Sequence, residues 1–219
     1  KRVPDVLDVW FDSGNAIWAG LRDGEEGYYP ADMIIEGKDQ IRGWFYSLLG
    51  SGVVLNDEIP YNSLIMHGYV VDEKGIAMHK SLGNYVPWEE VISKYPADAI
   101  RLTELSNTTW DDLKFNWNEM NEAKNELRIL NNLNSYLERF YKPVEKKSKI
   151  ESIEDLWLKS RLNSVIKETT DHMNNGETFI ALRKIRSFII QDVSRFYMKL
   201  IKKREDIKLL NESLFTVLL

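Results

Sequence analysis

The spacing of apolar residues changes at about residue 117 of this 219-residue chain. Before that point, short apolar runs are separated by glycines and turn residues, a pattern typical of strands that alternate with helices. After it come three long stretches with helical periodicity, at about 119–142, 154–174 and 177–203. We therefore predict an α/β domain over residues 1–117, followed by an all-α helical bundle over residues 118–219.

The charge distribution also differs between the two halves. Residues 1–118 carry 10 basic and 19 acidic residues (net −9), and residues 119–219 carry 19 and 15 (net +4). This asymmetry suggests two modules, the second of which meets a polyanion, although a solvated helical surface would also explain it. The absence of cysteine excludes disulfides, thiolate catalysis and zinc–thiolate sites. No run approaches the roughly 20 apolar residues that span a bilayer, so we expect no membrane contact and a cytoplasmic protein.

The α/β domain is expected to contain two buried strands and several short helices. The predicted elements are strands at 33–35 (ending at Glu36-Gly37) and 64–71, a turn at 72–75, and helices at 39–49, 87–95 and 98–105. Asp39 should cap the first helix, and Pro87 should lie in the first turn of the second. In the bundle, Gly176 is a candidate left-handed cap between the last two helices. The apolar stripe of the final helix should comprise Ile185, Ile189, Val193, Phe196 and Leu200.

A glycine-bounded loop, G-I-A-M-H-K-S-L-G-N at 75–84, follows the second predicted strand. It places a lysine, Lys80, and a hydroxyl, Ser81, at the end of a buried strand, where open α/β sheets bind their ligands. Such a loop suits a mobile phosphate clamp. An ordinary turn with one exposed lysine fits the local composition about as well.

Two further strings carry polar groups at element ends. E-G-K-D-Q-I-R-G-W-F at 36–45 places carboxylates and Gln40, which can both donate and accept, beside the start of a helix; a capped helix with surface charges is the alternative. D-V-W-F-D-S-G at 8–14 combines two carboxylates with Trp10; alone this is a weak signal, since a tryptophan in such a string lies in a core more often than in a pocket. His67 fits a core or near-site histidine better than a general base. Because the three histidines are scattered, we predict no metal site.

In the last helix, a basic face comprises Arg195, Lys199 and Lys202, and Lys203 extends it. A face of this kind can track the phosphates of a nucleic acid. For any single helix, a merely solvated face is the simpler interpretation.

Taken together, the three strings resemble the class I aminoacyl-tRNA synthetases with branched aliphatic substrates, above all the isoleucyl-tRNA synthetases. They are similar, in order, to that family's D-V-W-F-D-S-G, E-G-x-D-Q-x-R-G-W-F and K-M-S-K-S-L-G-N. Residues 95–101 (Y-P-A-D-A-I-R) are similar to the segment that joins the catalytic and anticodon-binding domains. The resemblance implies the second half of a Rossmann-like nucleotide-binding domain, followed by part of a helical anticodon-binding domain.

The resemblance also implies a reaction, in which ATP activates isoleucine to the adenylate and the aminoacyl group is transferred to tRNA(Ile). Trp10 and Trp44 would line the side-chain pocket, and Glu36, Gly37, Asp39 and Gln40 would hold the adenylate. The residues implied for ATP binding are His67, Gly68, Met78 and Lys80, and those implied for catalysis are His79, Lys80 and Ser81. Those implied for tRNA binding are Arg195, Lys199, Lys202 and Lys203. The ATP chemistry implies Mg²⁺, although the sequence shows no set of ligands for it. We expect no zinc site in this segment. We also expect the protein to be a monomer.

The chain departs from the family pattern in two respects. Ala77 replaces the first lysine of the loop string and His79 replaces its first serine, which weakens the clamp unless His79 is protonated. The family's H-x-G-H string and inserted editing domain are absent. Because the chain also begins without methionine and ends on an apolar stretch, we expect a fragment of a longer polypeptide that is inactive by itself.

Two other interpretations remain open. One is a valyl-tRNA synthetase, or another nucleotidyl transferase with this fold. The other is a non-catalytic tRNA-binding paralogue that uses only the basic bundle. The retention of Asp39, Gln40 and Lys80 argues against the second, because a pure tRNA binder needs none of them.

Overall fold

The computed structural model describes residues 3–5, 8–24, 26–140 and 152–201. The chain divides into two compact units. The first comprises Lys1–Met78 and Thr109–Phe115, and the second comprises His79–Thr108 and Asn116–Leu219. No helix of the described residues is both long and apolar enough to cross a membrane.

The first unit contains two short parallel pairs of strands. Its elements are helices α1 (Val9–Gly14) and α2 (Ala16–Ala19), strand β1 (Ile34–Gly37), helix α3 (Trp44–Asn56), and strands β2 (Leu64–His67), β3 (Val70–Val71) and β4 (Leu113–Lys114). β1 pairs with β2, and β3 pairs with β4. Ile34, Phe45 and Leu48 form the buried core between β1 and α3. Helix α1 packs against α3 where Gly14 lies on Ser47, since an added Cβ would come within 2.9 Å of that residue.

The prediction of one continuous strand at 64–71 is wrong, because the structure has two strands there, β2 and β3. They are separated at Gly68, where the chain leaves the β1 pairing and takes β4 as its partner. The segment 109–115 approaches so closely here that only glycine fits, because a Cβ at Gly68 would lie 2.2 Å from the carbonyl oxygen of Asp111. The amide of Gly68 donates instead to the carbonyl of Thr109 at 2.9 Å. The turn predicted at 72–75 is confirmed, with Gly75 N donating to Asp72 O.

The helix predicted from Asp39 starts later than expected, and Asp39 does not cap it. Residues Lys38–Arg42 form a 3₁₀ turn, and the α-helix begins at Trp44 and ends at Asn56. The reason is that the side chain of Gln40, not that of Asp39, satisfies the first helical N–H: Gln40 Oε1 accepts from Trp44 N at 2.8 Å.

The described residues of the second unit are mainly helical. Its helices are α4 (Trp88–Lys94), α5 (Ala97–Leu105), α6 (Trp117–Phe140), α7 (Ile153–Asn174), α8 (Thr178–Ser187), a π-helical segment (Phe188–Tyr197) and α9 (Met198–Ile201). The predicted helices are confirmed apart from their ends, with Pro87 immediately before α4. Gly176 has φ +74° in the turn between α7 and α8, as predicted. The predicted helix ends at 142 and 203 lie outside the described residues.

The π-helical segment changes which residues face the bundle core. The predicted stripe is wrong at Phe196 and Leu200, which are 49% and 46% exposed. After Val193, which the prediction includes, the buried positions are Tyr197 and Ile201. A π-helix has a wider turn than an α-helix, so the step from Val193 to the next buried residue is four residues rather than the predicted three.

Candidate functional site

The ends of β1 and β2 bring polar residues to one edge of the first unit. The strands are parallel, and their last residues, Gly37 and His67, are partners in the register. The carboxyl edge of parallel strands is where open α/β sheets bind ligands. His67 is exposed, with Nδ1 2.9 Å from the carbonyl oxygen of Gly68, and Glu36 is exposed beside it on β1.

The absence of a side chain at Gly37 allows Asp39 to fold back over the strand end. A Cβ at Gly37 would lie 2.5 Å from Asp39 Oδ1 and 3.5 Å from the His67 ring. Gln40 fixes this arrangement from the other side, since its Nε2 donates to Asp39 Oδ2 at 3.0 Å. The structure thus brings together three residues of the 36–45 string, Gly37, Asp39 and Gln40, with His67 of the second predicted strand.

The two tryptophans expected to form a side-chain pocket lie on the α1–α3 pair in different surroundings. Trp10, 40% exposed, lines a cleft of about 530 Å³ with Phe11, Arg42 and Tyr46. Trp44 packs beside the buried core of this unit, and its Nε1 donates to the carbonyl of Ser13 at 2.9 Å. Their shared role in one pocket stays a prediction.

The lysine loop lies mainly in the second unit and forms a closed turn. Lys80–Leu82 is a single 3₁₀ turn that ends at Gly83, whose φ is +67°. The side-chain oxygen of Asn84 accepts from the amide of His79 at 2.9 Å and closes the loop. His79, Lys80 and Ser81 are exposed, and Lys80 Nζ lies 5.4 Å from the centre of the Tyr85 ring. Met78, the last residue of the first unit in this stretch, is half-buried.

Comparison with known families decides the assignment. The family model "tRNA synthetases class I (I, L, M and V)" matches residues 1–116, more than half of the chain. The chain belongs to this family. A second model, the anticodon-binding domain of tRNA ligase, matches residues 155–219.

The curated relatives of this synthetase chain include archaeal isoleucine–tRNA ligases. The ligase of Saccharolobus solfataricus is 44% identical over an alignment of 217 positions, which covers 93% of this chain and 22% of the relative. The ligase of Methanothermobacter thermautotrophicus is 45% identical over an alignment of 218 positions, which covers 93% of this chain and 21% of the relative. The chain thus spans about a fifth of the length of the curated relatives it matches.

Solved synthetase structures share the fold. A ternary complex of Agrobacterium radiobacter K84 agnB2 LeuRS with tRNA and LeuAMS matches with a TM-score of 0.77 at 22% identity, covering 99% of this chain and 29% of that one. Mycobacterium tuberculosis methionyl-tRNA synthetase with methionyl-adenylate matches with a TM-score of 0.72 at 18% identity, covering 99% and 46%. These similarities confirm the predicted fold class, part of a Rossmann-like catalytic domain with a helical region.

Three contacts of the first unit of this synthetase chain could not be found from sequence. Lys38 Nζ donates to Asp112 Oδ1 at 2.5 Å, and lies 5.0 Å from the centre of the Tyr69 ring. The amide of Tyr69 donates to the same carboxyl oxygen at 2.8 Å. Lys38 occupies a position that the family string leaves open, and Asp112 is 74 residues away, so no local signal connects them.

The predicted basic face is described only in part. Arg195 lies in the π-helical segment and Lys199 in α9; both are exposed, and Arg195 donates to Gln191 Oε1 at 3.2 Å. Lys202 and Lys203 lie outside the described residues. Within the described part of the chain, no group of three or more His, Asp or Glu side chains could hold a metal ion.

Proposed function

We propose that this chain carries part of an isoleucine–tRNA ligase, which uses ATP to form isoleucyl-adenylate and then transfers isoleucine to tRNA(Ile). The observation that carries the proposal is the cluster at the β1–β2 edge, where Gly37 admits Asp39 beside His67 and Gln40. Its motif residues belong to a chain whose curated relatives are isoleucine–tRNA ligases.

In the proposed first step, the isoleucine carboxylate attacks the α-phosphate of ATP and pyrophosphate leaves. Glu36 and Asp39 are carboxylates, so they suit the ammonium group of the amino acid and the ribose hydroxyls rather than the phosphates. Gln40 fixes the orientation of Asp39 through Nε2, because its Oε1 is committed to Trp44 N. Positioning of this kind supplies a large part of the rate enhancement in such reactions.

A positive charge near the phosphates stabilises the negative charge that develops on them, and Lys80 is proposed to supply it. Its loop is shaped by Gly83 and the Asn84 bond to His79, which leaves the lysine exposed on the turn. Because Ala77 supplies no charge, we assign the electrostatic role to Lys80, with His79 and Ser81 beside it. A preorganised donor of this kind contributes roughly 3 kcal/mol to the transition state.

Mg²⁺ would enter with the ATP phosphates, since the described residues do not form a metal-binding group. When bound, it neutralises phosphate charge. ATP itself is proposed to contact His67, Gly68, Met78 and Lys80.

We propose that residues 1–117 carry out catalysis and that residues 118–219 bind the anticodon. The exposed Arg195 and Lys199 are the described candidates for phosphate contacts, and their removal should reduce the salt dependence of tRNA binding. We propose that the protein acts as a monomer in the cytoplasm.

The test is amino-acid-dependent ATP–pyrophosphate exchange with isoleucine, valine, leucine and methionine, on the protein expressed from its complete reading frame. We expect isoleucine to lead valine by roughly 10–200-fold, the range that one methylene gives and for which isoleucyl-tRNA synthetases are themselves a standard example. If the exchange rate is higher with valine than with isoleucine, the side-chain pocket is specific for valine and the assignment to isoleucine is wrong. Exchange with none of the four, together with salt-sensitive tRNA binding, would favour a non-catalytic tRNA-binding protein.

The loop assignment has its own test in the same assay. Lys80→Ala should lower the exchange rate by roughly 100-fold, which corresponds to the electrostatic contribution given above. His79→Ser, which restores the residue usual in the family, should change the rate far less. Equal small effects of the two substitutions would show that the loop lysine does not stabilise the transition state.

A further inference from the structure

Lys38 lies in the chain between residues that are proposed to hold the adenylate. It follows Gly37 at the end of β1 and precedes Asp39 and Gln40. It is the first residue of the 3₁₀ turn that delivers these side chains to the strand edge. Its own side chain points away from them, to Asp112 on the segment 109–115. A movement of this turn would therefore displace Asp39 directly.

The carboxyl group of Asp112 connects the two strand ends. One oxygen, Oδ1, accepts from Lys38 Nζ at the end of β1 and from the amide of Tyr69 just after β2. The lysine also lies 5.0 Å from the centre of the Tyr69 ring, within the range of a cation–π contact. Lys38, Tyr69 and Asp112 are called the strand-end clamp below.

The segment that carries Asp112 is itself held close to the second strand end. Gly68 packs on the backbone of Asp111 and Asp112, at distances that would place a Cβ within 2.2–2.7 Å of it. The amide of Leu113 donates to Tyr69 O, and that of Phe115 donates to Val71 O. The segment is thus a fixed support, against which a side chain from β1 can be anchored.

The geometry points to Lys38 as a positioning residue for adenylate formation: through Asp112 it anchors the turn that holds Asp39 and Gln40 at the strand edge. This inference rests on the proposed function for the roles of Asp39 and Gln40. The clamp itself rests only on contacts within the first unit.

The ionisation of Asp112 agrees with this arrangement. The hydrogen bond from Lys38, followed by that from the amide of Tyr69, lowers the pKa of the Asp112 carboxyl below its usual range. The carboxylate is therefore charged at neutral pH, which strengthens both hydrogen bonds.

The experiment compares Lys38→Met, Asp112→Asn and the double variant in isoleucine-dependent exchange, on the protein expressed from its complete reading frame. We expect each single substitution to lower kcat/KM by about fivefold, and the double variant to lose no more than either one, because both break the same connection. Lys38→Arg should retain more of the wild-type kcat/KM than Lys38→Met, since it keeps a charged donor at this position. Lys74→Met removes an exposed lysine of the same unit and should leave kcat/KM unchanged.

The Asp112→Asn variant separates positioning from direct binding. If Lys38 bound the ATP phosphates itself, releasing it from Asp112 would leave kcat/KM unchanged or raise it, while Lys38→Met would still lower it. That outcome overturns the inference, as does a double variant whose loss is the product of the two single losses.

Hydrogen–deuterium exchange of peptides containing residues 68–72 tests the clamp without any activity. Faster exchange at Tyr69 in both Lys38→Met and Asp112→Asn, but not in Lys74→Met, supports the clamp. Unchanged exchange overturns it. If the wild-type protein shows no amino-acid-dependent exchange, the proposed function fails, and the deuterium measurement still decides whether the clamp exists.

Discussion

Gly43, the residue before α3, allows the side chain of Gln40 to fold back onto the helix start. A Cβ added at Gly43 would lie 2.5 Å from Gln40 Oε1 and 3.4 Å from Gln40 Cδ, but 3.8 Å from its Cα. Gly43→Ala should therefore push the amide outward by roughly 1 Å to restore ordinary contact distances. The 2.8 Å bond from Trp44 N would then be lost, together with the support that Nε2 gives to Asp39.

The energetic cost of Gly43→Ala should equal that of the lost bond at the helix start, about 1 kcal/mol. The clash is with the end of one side chain, so it should vanish when that side chain is removed. In a Gln40→Ala background we expect Gly43→Ala to cost about 1 kcal/mol less free energy of unfolding than in the wild type, because the remaining contact, to the Cα, is an ordinary one. Gly50→Ala, in the exposed interior of the same helix with nothing within 4 Å, should instead stabilise by about 0.5–1 kcal/mol.

The assay is urea unfolding followed by tryptophan fluorescence, with isoleucine-dependent exchange measured on the same four variants. Gly43→Ala and Gln40→Ala should lower exchange to a similar extent, because both release Asp39. If Gly43→Ala costs as much in the Gln40→Ala background as in the wild type, the penalty comes from the backbone, and the reasoning about the Gln40 amide is refuted.

Three further predictions concern other parts of the chain. Tyr197→Phe should lower the free energy of unfolding by about 2 kcal/mol, because its buried hydroxyl donates to the buried Asp155 carboxyl at 2.7 Å; chemical denaturation measures this loss. Tyr85→Leu should lower kcat/KM for ATP by about threefold in pyrophosphate exchange, since it removes the ring over which Lys80 lies. The stability contributed by the strand-end clamp should be present above about pH 4, the ordinary range of an aspartate, and lost as the pH falls through the lowered pKa of Asp112; unfolding measured from pH 7 to pH 2 tests this.

Each of these has a control within the chain. Tyr95→Phe removes a hydroxyl that lies 3.5 Å from the carbonyl of Trp117, at the limit of a hydrogen bond, so it should cost much less than Tyr197→Phe. Tyr85→Phe keeps the ring and should retain activity, and a loss equal to that of Tyr85→Leu would contradict the ring contact. For the clamp, Lys38→Met should lose the acid-dependent part of the stability difference, and an identical pH profile would count against the shifted pKa.

Features that depend on neighbouring residues could be predicted from sequence. The helices of the second unit follow the periodicity, and Gly176 adopts the left-handed conformation expected of a cap. The lysine loop forms a glycine-terminated turn after the strands, as its composition indicates. Such features are local because a helical turn, a cap or a tight turn is decided by residues within about four positions of one another.

The sequence by itself thus determined most of the helices of the second unit, the left-handed turn at Gly176 and the residues of the motif strings. Only the tertiary structure decided that the strand after β2 changes partner at Gly68 and that Lys38 reaches Asp112. It also decided that Tyr197 rather than Phe196 is buried against the bundle core. Each of these depends on atoms brought together by packing between distant segments, where a steric limit or a shared acceptor selects among conformations that local propensity leaves nearly equal in free energy.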